Sequence, residues 1–181
     1  MRAALALAAV TMSLAACVVR EPISMTTATL AAADAATSLI VGETVTLAYL
    51  TPGVAPAGQD PVVTLELRHT DGRALSFQQG NHTADDLLAQ QPGGALAQIM
   101  GLFGEEAPLL YHAARADTSG APFICGPEGP AALGVYDAGD GAVQIVGLKQ
   151  TIQFETRPDG VREAVPFSPD QVCARLRFRR S

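Results

Sequence analysis

The stretch Val172-Cys173-Ala174-Arg175-Leu176-Arg177-Phe178-Arg179 decides the fold, because apolar and polar side chains alternate along it. Successive side chains of a β-strand point to opposite faces of the sheet. One face of this segment is therefore apolar, and the other face carries a cysteine and the arginines Arg175, Arg177 and Arg179. The pattern predicts a strand at 172–179 that buries its apolar face against a core.

Similar alternation recurs along most of the chain and is interrupted by turns. It predicts further strands at 39–49, 62–69, 74–78, 109–113, 123–125, 131–136, 142–148, 149–156 and 161–167. Asp71-Gly72 predicts a hairpin between two of these strands, because glycine readily adopts the positive φ angles of such turns. Roughly nine strands with frequent turns predict a mainly β fold, either an antiparallel β-sandwich or a small barrel.

One region, at about 83–103, has apolar residues at the spacing that is typical of helices. Thr83 is a candidate N-cap, and Pro92-Gly93-Gly94 separates a first helix from a second one that contains Leu96 and Ile99. We expect this short helical insert to pack on the sheet, and a lid or lipid-binding loop is the alternative.

The N-terminus has the features of a secretory signal peptide. Met1-Arg2 supplies one positive charge, and residues 3–16 contain no charged side chain. This apolar run is too short to span a bilayer, which requires about 20 apolar residues, but it suits export followed by cleavage. Residues 1–16 are therefore excluded from the fold.

The end of this run, Leu14-Ala15-Ala16-Cys17, resembles the lipobox of bacterial lipoproteins. The resemblance covers residues 1–17. It implies cleavage before Cys17, a diacylglycerol thioether on the Cys17 sulfur, and acylation of the new amino group with a chain such as palmitate. Two or more acyl chains give stable membrane attachment. Val18, where inner-membrane lipoproteins carry Asp, favours the outer membrane, with the protein facing the periplasm.

The chain then divides into a removed peptide, a linker and one domain. Residues 17–37 are small and low in complexity, which predicts a lipidated cysteine followed by a flexible tether. A short alanine-rich helix after Ser24 is the alternative, although it would lack an apolar face. Residues 38–181 are long enough for a single β-rich domain.

With Cys17 lipidated, Cys125 and Cys173 remain as an even pair. In an exported protein such a pair predicts a disulfide, the alternative being two free thiols. Because Cys173 lies on the polar face of the last strand, the bridge must lie on that face or the strand register must shift near Cys173.

The chain is acidic, with a formal net charge of −6 at pH 7. Binding to phosphate groups requires a basic face, so this charge argues against nucleic acid as a partner. The acidic body is also expected to stand off from anionic lipid. The three outward arginines have two interpretations. They form a solvated face paired with acids on the neighbouring strand, or a docking patch for an acidic protein partner or a lipid head group.

No catalytic or metal-binding motif is found in the sequence. The three histidines do not form His-x-x-x-His, the cysteines form no Cys-x-x-Cys, and neither Gly-x-Ser-x-Gly nor Ser-x-x-Lys occurs. Asp137 and Asp140 lie in a glycine-rich turn, which favours a hairpin over a calcium loop because a closing glutamate is missing. We therefore predict no cofactor and no metal, and an enzyme is the less favoured class.

The segment Phe123-Ile124-Cys125-Gly126, followed by hairpins and the late Cys173, resembles the layout of membrane-bound inhibitors of c-type lysozyme. Ser119-Gly120-Ala121 precedes Cys125 but lacks the Arg-Tyr of that family's inhibitory motif, so no functional residue is carried over. The sequence predicts a membrane-anchored envelope lipoprotein with a non-catalytic interaction or structural role. A periplasmic inhibitor or small-ligand binder is the alternative, and a hydrolase is the third class.

Overall fold

The computed structural model describes residues 23–53, 62–79, 95–102, 108–113, 120–138, 140–151, 154–164 and 168–181. Its first half contains β1 (Ile23–Ala32), α1 (Ala35–Val41), β2 (Thr44–Pro52), β3 (Thr64–His69), β4 (Ala74–Gln79) and α2 (Ala95–Met100). Its second half contains β5 (Leu109–Ala113), β6 (Ala132–Asp137), β7 (Ala142–Leu148), β8 (Phe154–Thr156), β9 (Arg162–Ala164), a 3-10 turn (Pro169–Gln171) and β10 (Val172–Arg180).

Eight of these strands close into an antiparallel barrel. Strands β1 to β7 follow one another around the wall, and β10 lies between β7 and β1. Strands β8 and β9 form a separate two-stranded sheet. The prediction of a mainly β antiparallel fold with a helical insert is confirmed, and of its two forms the barrel is the one observed. The predicted helix start at Thr83 lies outside the described residues.

The barrel interior is packed with apolar side chains from every wall strand. Examples from successive strands are Leu30, Leu47, Leu65, Phe77, Leu133, Ile145 and Phe178, none of which is more than 1% exposed. An eight-stranded barrel has an interior just wide enough for side chains to fill. The middle of this barrel is therefore a core.

Helix α2 covers the outside of the wall formed by β5, β6 and β7. Leu96 and Met100 pack there against Leu110 and Val146 in a second apolar cluster. Gly134 allows this close approach, because a Cβ at that position would lie 2.6 Å from a methyl group of Leu96. The expectation that the insert packs on the sheet is thus met by the part of it that is described.

The predicted tether is wrong for residues 23–37, which belong to the barrel. Strand β1 pairs with β2 along Ile23–Ala31 and with β10 along Leu30–Ala32. Ala28 and Leu30 face the core and alternate with the outward Thr27 and Thr29, as in a strand. The alternation is weak in the sequence because alanine and threonine differ little in hydrophobicity. Threonine also fits a pleated sheet well.

Two further sequence predictions of strands are corrected. Residues 39–41 end helix α1, which begins where Asp34 accepts a hydrogen bond from the Thr37 N–H at 2.8 Å. The helix buries Val41 and leaves Leu39 89% exposed, a one-sided pattern that a short apolar triplet does not reveal. Residues 123–125 form an irregular segment, although Ile124 is buried in the core.

The two ends of the barrel differ. Helix α1 and the segment 120–131 close one end, where Val41 and Ile124 extend the interior core. We call this the capped end and the opposite end the mouth. At the capped end α1 lies beside β10, because the Arg177 N–H donates to Thr37 Oγ1 at 2.9 Å. The Ala33 N–H donates to the Arg177 carbonyl at 2.8 Å, so α1 continues the wall past the end of β1.

Candidate ligand site at the barrel mouth

Hydrogen-bonding side chains face the barrel interior at the mouth. Tyr49 lies two residues beyond the core residue Leu47 on β2, and Asp137 and Arg180 occupy the equivalent positions on β6 and β10. Because side chains two residues apart share a face of a strand, all three point inward. Tyr111 on β5 is itself part of the core cluster. Four strands thus bring polar groups to the same end of the barrel, next to apolar core residues.

The two tyrosines lie side by side. Their ring centroids are 6.4 Å apart, with the planes tilted by 57°. Tyr111 is only 2% exposed, and no hydrogen bond to either hydroxyl is found in the described part of the chain. Buried tyrosine hydroxyls usually have a hydrogen-bond partner. The Tyr111 hydroxyl is therefore a buried polar group that has no hydrogen-bond partner among the described residues.

Both hydroxyls are held in the protonated form. Burial raises the pKa of Tyr111, and the neighbouring Tyr49 raises it further. Burial also raises the pKa of Tyr49, with Asp137 adding to the increase and Arg180 opposing it. At neutral pH the mouth therefore offers two neutral phenols that can donate hydrogen bonds.

The two charged groups at the mouth neutralise each other. The Arg180 guanidinium donates to an Asp137 carboxylate oxygen, which joins β10 to β6 across β7. Both side chains are partly exposed, so the ion pair stabilises the fold by about 1 kcal/mol or less. Among the described residues, its main effect is to give the mouth a pair of opposite charges that balance each other.

The predicted docking arginines lie on the outer face of the barrel. Their partners on β7 are Val146, Gln144 and Ala142, so the expectation that acids stand beside them on the neighbouring strand is wrong. Arg175 donates instead to the Ile99 carbonyl near the end of α2. This contact ties Arg175 to the outer apolar cluster.

Arg177 and Arg179 remain on the surface and line a cleft of about 470 Å³ together with Gln144 and Asp34. The Thr37 hydrogen bonds lower the pKa of Asp34, and the positive charge of Arg177 lowers it further. No ion pair to Arg177 or Arg179 is found within the described residues. Among the described residues that line it, the outer cleft therefore has two positive charges and one negative charge.

Cys125 and Cys173 lie at disulfide distance at the capped end, with 1.99 Å between the sulfur atoms. The register of β10 against β7 shifts between Val172 and Ala174, so Cys173 is the extra residue of a bulge. A register shift was one of the two arrangements that the alternation allowed. Gly147 makes room for the bridge, because a Cβ there would lie 2.6 Å from Cys125 Sγ.

Of the other sequence-based sites, the candidate calcium turn with Asp137 and Asp140 lies at the mouth, where it forms the β6–β7 hairpin. Cys17 lies outside the described residues. In the part that is described, no group of three or more His, Cys, Asp or Glu side chains could hold a metal. The described helices include none that is long and apolar enough to cross a membrane. Asp140 accepts a hydrogen bond from the Ala142 N–H at 2.9 Å within the β6–β7 hairpin.

Sequence reasoning did not identify the mouth. Tyr49 and Tyr111 are 62 positions apart in the sequence, and neither forms part of a motif. The available signal was the position of each residue in an alternating strand. Tyr49 and Arg180 each lie two residues after a buried apolar residue, at the end of the alternating run, so they share its inward face. That signal becomes specific only once the strand order is known.

This chain matches no protein-family model, no curated protein and no solved structure. The class that its own geometry defines is a closed antiparallel barrel with a packed middle, one capped end and one polar mouth.

Proposed function

We propose that this chain is an envelope lipoprotein, anchored through lipid on Cys17, whose barrel binds a small ligand at its mouth and catalyses no reaction. The observation that carries the binding role is the buried Tyr111 hydroxyl, which has no hydrogen-bond partner in the described part of the chain. A ligand acceptor atom would satisfy this group, and an unsatisfied buried hydroxyl costs about 1–3 kcal/mol.

The chemistry of the mouth indicates the class of ligand. Small-molecule sites combine apolar surface with a few placed polar groups, and they occur in the mouths of barrels. Here Tyr49 and Tyr111 offer protonated donors and aromatic faces, while Asp137 and Arg180 balance each other in charge. A small uncharged molecule with hydrogen-bond acceptors and one apolar face fits these groups.

A binding role suits these groups better than catalysis does. General acid–base catalysis works best with a group whose pKa lies near the working pH. Burial moves the pKa values of Tyr49 and Tyr111 upward, away from neutrality. Such phenols serve as fixed hydrogen-bond donors and transfer protons poorly.

The lipid anchor rests on the resemblance of residues 14–17 to a lipobox and on the cysteine count. Cys125 and Cys173 lie at disulfide distance from each other, which leaves Cys17 as the cysteine available for lipid. We expect mass spectrometry of membrane fractions to show a diacylated or triacylated N-terminus at Cys17. The outer membrane, with the barrel facing the periplasm, is the proposed location. A protein that is cleaved elsewhere and released as a soluble form would contradict the anchor.

The ligand site can be tested with one tyrosine variant and a matched control. The purified protein is incubated with a periplasmic small-molecule extract, and bound compounds are identified by mass spectrometry after removal of unbound material. Tyr111→Phe should weaken retention of the bound compound at least about tenfold, which corresponds to one lost hydrogen bond in a buried site. Tyr136→Phe, on the outer wall, should not weaken it. Equal retention by both variants would contradict the mouth as the site.

A protein partner at the outer cleft is the second candidate function. Arg177 and Arg179 face an uncharged strand, which leaves positive charge for an acidic partner surface. A photo-crosslinker at Gln144 should capture such a partner in intact cells, and the double change Arg177→Gln and Arg179→Gln should abolish capture. Lysozyme inhibition and hydrolase activity stay predictions, and direct assays with the purified protein would test them.

A further inference from the structure

We infer that the mouth-side edge formed by β1 and β2 rests on the surface of the lipid bilayer. This inference rests on the proposed lipid anchor at Cys17. Beyond the anchor, the inference specifies which part of the barrel contacts the membrane and which part faces away from it.

The first argument is the length of the connection. Only residues 18–22 separate Cys17 from Ile23, the first residue of β1. The six Cα–Cα steps from Cys17 to Ile23 span at most about 22 Å when fully extended. The start of β1 must therefore stay close to the lipid that holds Cys17, whatever the rest of the barrel does.

The second argument is the shape of the mouth. Strand β1 pairs with β2 from Ile23 onward, but it pairs with β10 only along Leu30–Ala32. Within the described residues, the part 23–28 has β2 as its one neighbouring strand. Together with the end of β2 (50–52), this part extends beyond the rest of the wall. We call residues 23–28 and 50–52 the flap.

The third argument is the chemistry of the flap. Residues 23–28 and 50–52 contain no charged side chain. Met25 is 57% exposed on the flap, and the exposed Val62 precedes β3 next to it. The acidic body is repelled by anionic lipid, whereas an uncharged surface with exposed apolar side chains is not. The flap is thus an uncharged edge with exposed apolar side chains, and among such surfaces it is the one that the short connection holds near Cys17.

The backbone of the flap limits how deep it can go. Within the described residues, the outer edge of β1 at 23–28 carries N–H and C=O groups that pair with no second strand. Such groups are not tolerated in the hydrocarbon core. They can be hydrated among lipid head groups. The contact is therefore at the level of the lipid head groups, with the exposed Met25 side chain directed into the bilayer. The capped end, which carries the exposed Leu39, then points into the periplasm.

The test compares two exposed apolar positions at opposite ends of the barrel. A polarity-sensitive fluorescent amino acid replaces Met25 in one protein and Leu39 in the other. Each lipidated protein is reconstituted in vesicles of phosphatidylethanolamine and phosphatidylglycerol, with or without a quencher attached near the lipid head groups. We expect the probe at position 25 to be quenched about threefold more than the probe at position 39, with a blue shift on vesicle binding.

The outcomes separate this inference from the proposed anchor. Mass spectrometry of the same samples reports lipidation of Cys17 directly. If Cys17 is not lipidated, the anchor proposal fails, and the comparison is repeated with position 17 attached to vesicles through a histidine tag and chelating lipid. Equal quenching at both positions in either format overturns the inference. A blue shift at position 25 that increases with protein concentration in the absence of vesicles also overturns the inference. In that case a second copy of the protein would cover the flap.

Discussion

The capped end and the mouth of this barrel are built from different kinds of side chain. At the capped end Val41 and Ile124 extend the core, and Cys125 lies at disulfide distance from Cys173. At the mouth the inward positions carry phenols and an ion pair. The first arrangement combines burial with covalent constraint, while in the second a buried hydroxyl finds no partner within the part of the chain that is described. The covalent constraint is therefore concentrated at one end of the barrel, and the polar inward side chains are concentrated at the other.

The largest effect on this comparison should come from removing the disulfide. In the chain-entropy model, a bridge between residues 48 positions apart contributes about 4 kcal/mol to the free energy of unfolding. We expect the double change Cys125→Ala and Cys173→Ala to lower the free energy of unfolding, measured in urea, by about this amount. Near-ultraviolet circular dichroism of the mouth tyrosines should keep its folded signature at low urea. Loss of that signature without urea would show that the two ends are not separable.

A methyl group at Gly147 should cause the next largest loss. The added Cβ of Gly147→Ala would meet Cys125 Sγ at 2.6 Å, and the cross-linked sulfur cannot move away. Overpacking of this kind costs about 2 kcal/mol. Gly134→Ala is the matched control, because its Cβ would meet Leu96 at the same 2.6 Å, but that side chain carries no cross-link and can shift together with α2. Equal losses in the two variants, measured by urea unfolding, would contradict this account of the capped end.

Thr37 tests the junction between α1 and β10. Its hydroxyl accepts the Arg177 N–H, and the side chain is fully buried. Thr37→Val keeps the shape but leaves that N–H unpaired, which should lower the free energy of unfolding by about 1–2 kcal/mol. Thr37→Ser keeps the hydroxyl and should lose less. A larger loss in the serine variant would indicate that packing, and not the hydrogen bond, holds α1 in place.

Tyr111→Phe should have a small effect on stability near neutral pH and a clear effect in alkali. The variant removes a buried hydroxyl that has no partner among the described residues, so the free energy of unfolding should rise by about 1 kcal/mol, the lower end of the cost of such a group. The folded-state pKa of Tyr111 is raised above the unfolded value of 10.0. The protonated Tyr111 hydroxyl therefore leaves the free energy of unfolding unchanged below about pH 10. Above that pH the unfolded chain loses this proton first, so the free energy of unfolding falls. Urea unfolding between about pH 8 and pH 11 should show a steeper loss in the unchanged protein than in the variant. Parallel slopes would contradict burial of this hydroxyl.

The ion pair at the mouth should have the smallest effect on stability. Arg180→Gln removes the guanidinium that pairs with Asp137 at a partly exposed position, so the free energy of unfolding should fall by about 0.5 kcal/mol or less. The same change leaves a net negative charge at the mouth and should alter which compounds are retained. A loss of several kcal/mol would mean that the mouth is as important for stability as the capped end.

Much of the wall could be predicted from the sequence because its strands alternate cleanly. The hairpin at Asp71-Gly72 and the long last strand follow from local rules of side-chain alternation and turn geometry. The first strand could not be predicted from composition, because alanine and threonine in residues 23–32 carry little hydrophobic contrast. Their burial is supplied by neighbours on β2 that are distant in the sequence.

The sequence by itself determined a mainly β chain, its hairpins and the alternating face of β10, since each depends on residues close together along the chain. It also supplied the lipobox resemblance on which the anchor proposal rests. The closure of the sheet into a barrel, and not a sandwich, is seen only in the tertiary structure. The same holds for the proximity of Tyr49, Tyr111 and Arg180 at one end of the barrel. The physical reason is that strand order and closure depend on contacts between distant segments. Those contacts determine which inward side chains meet.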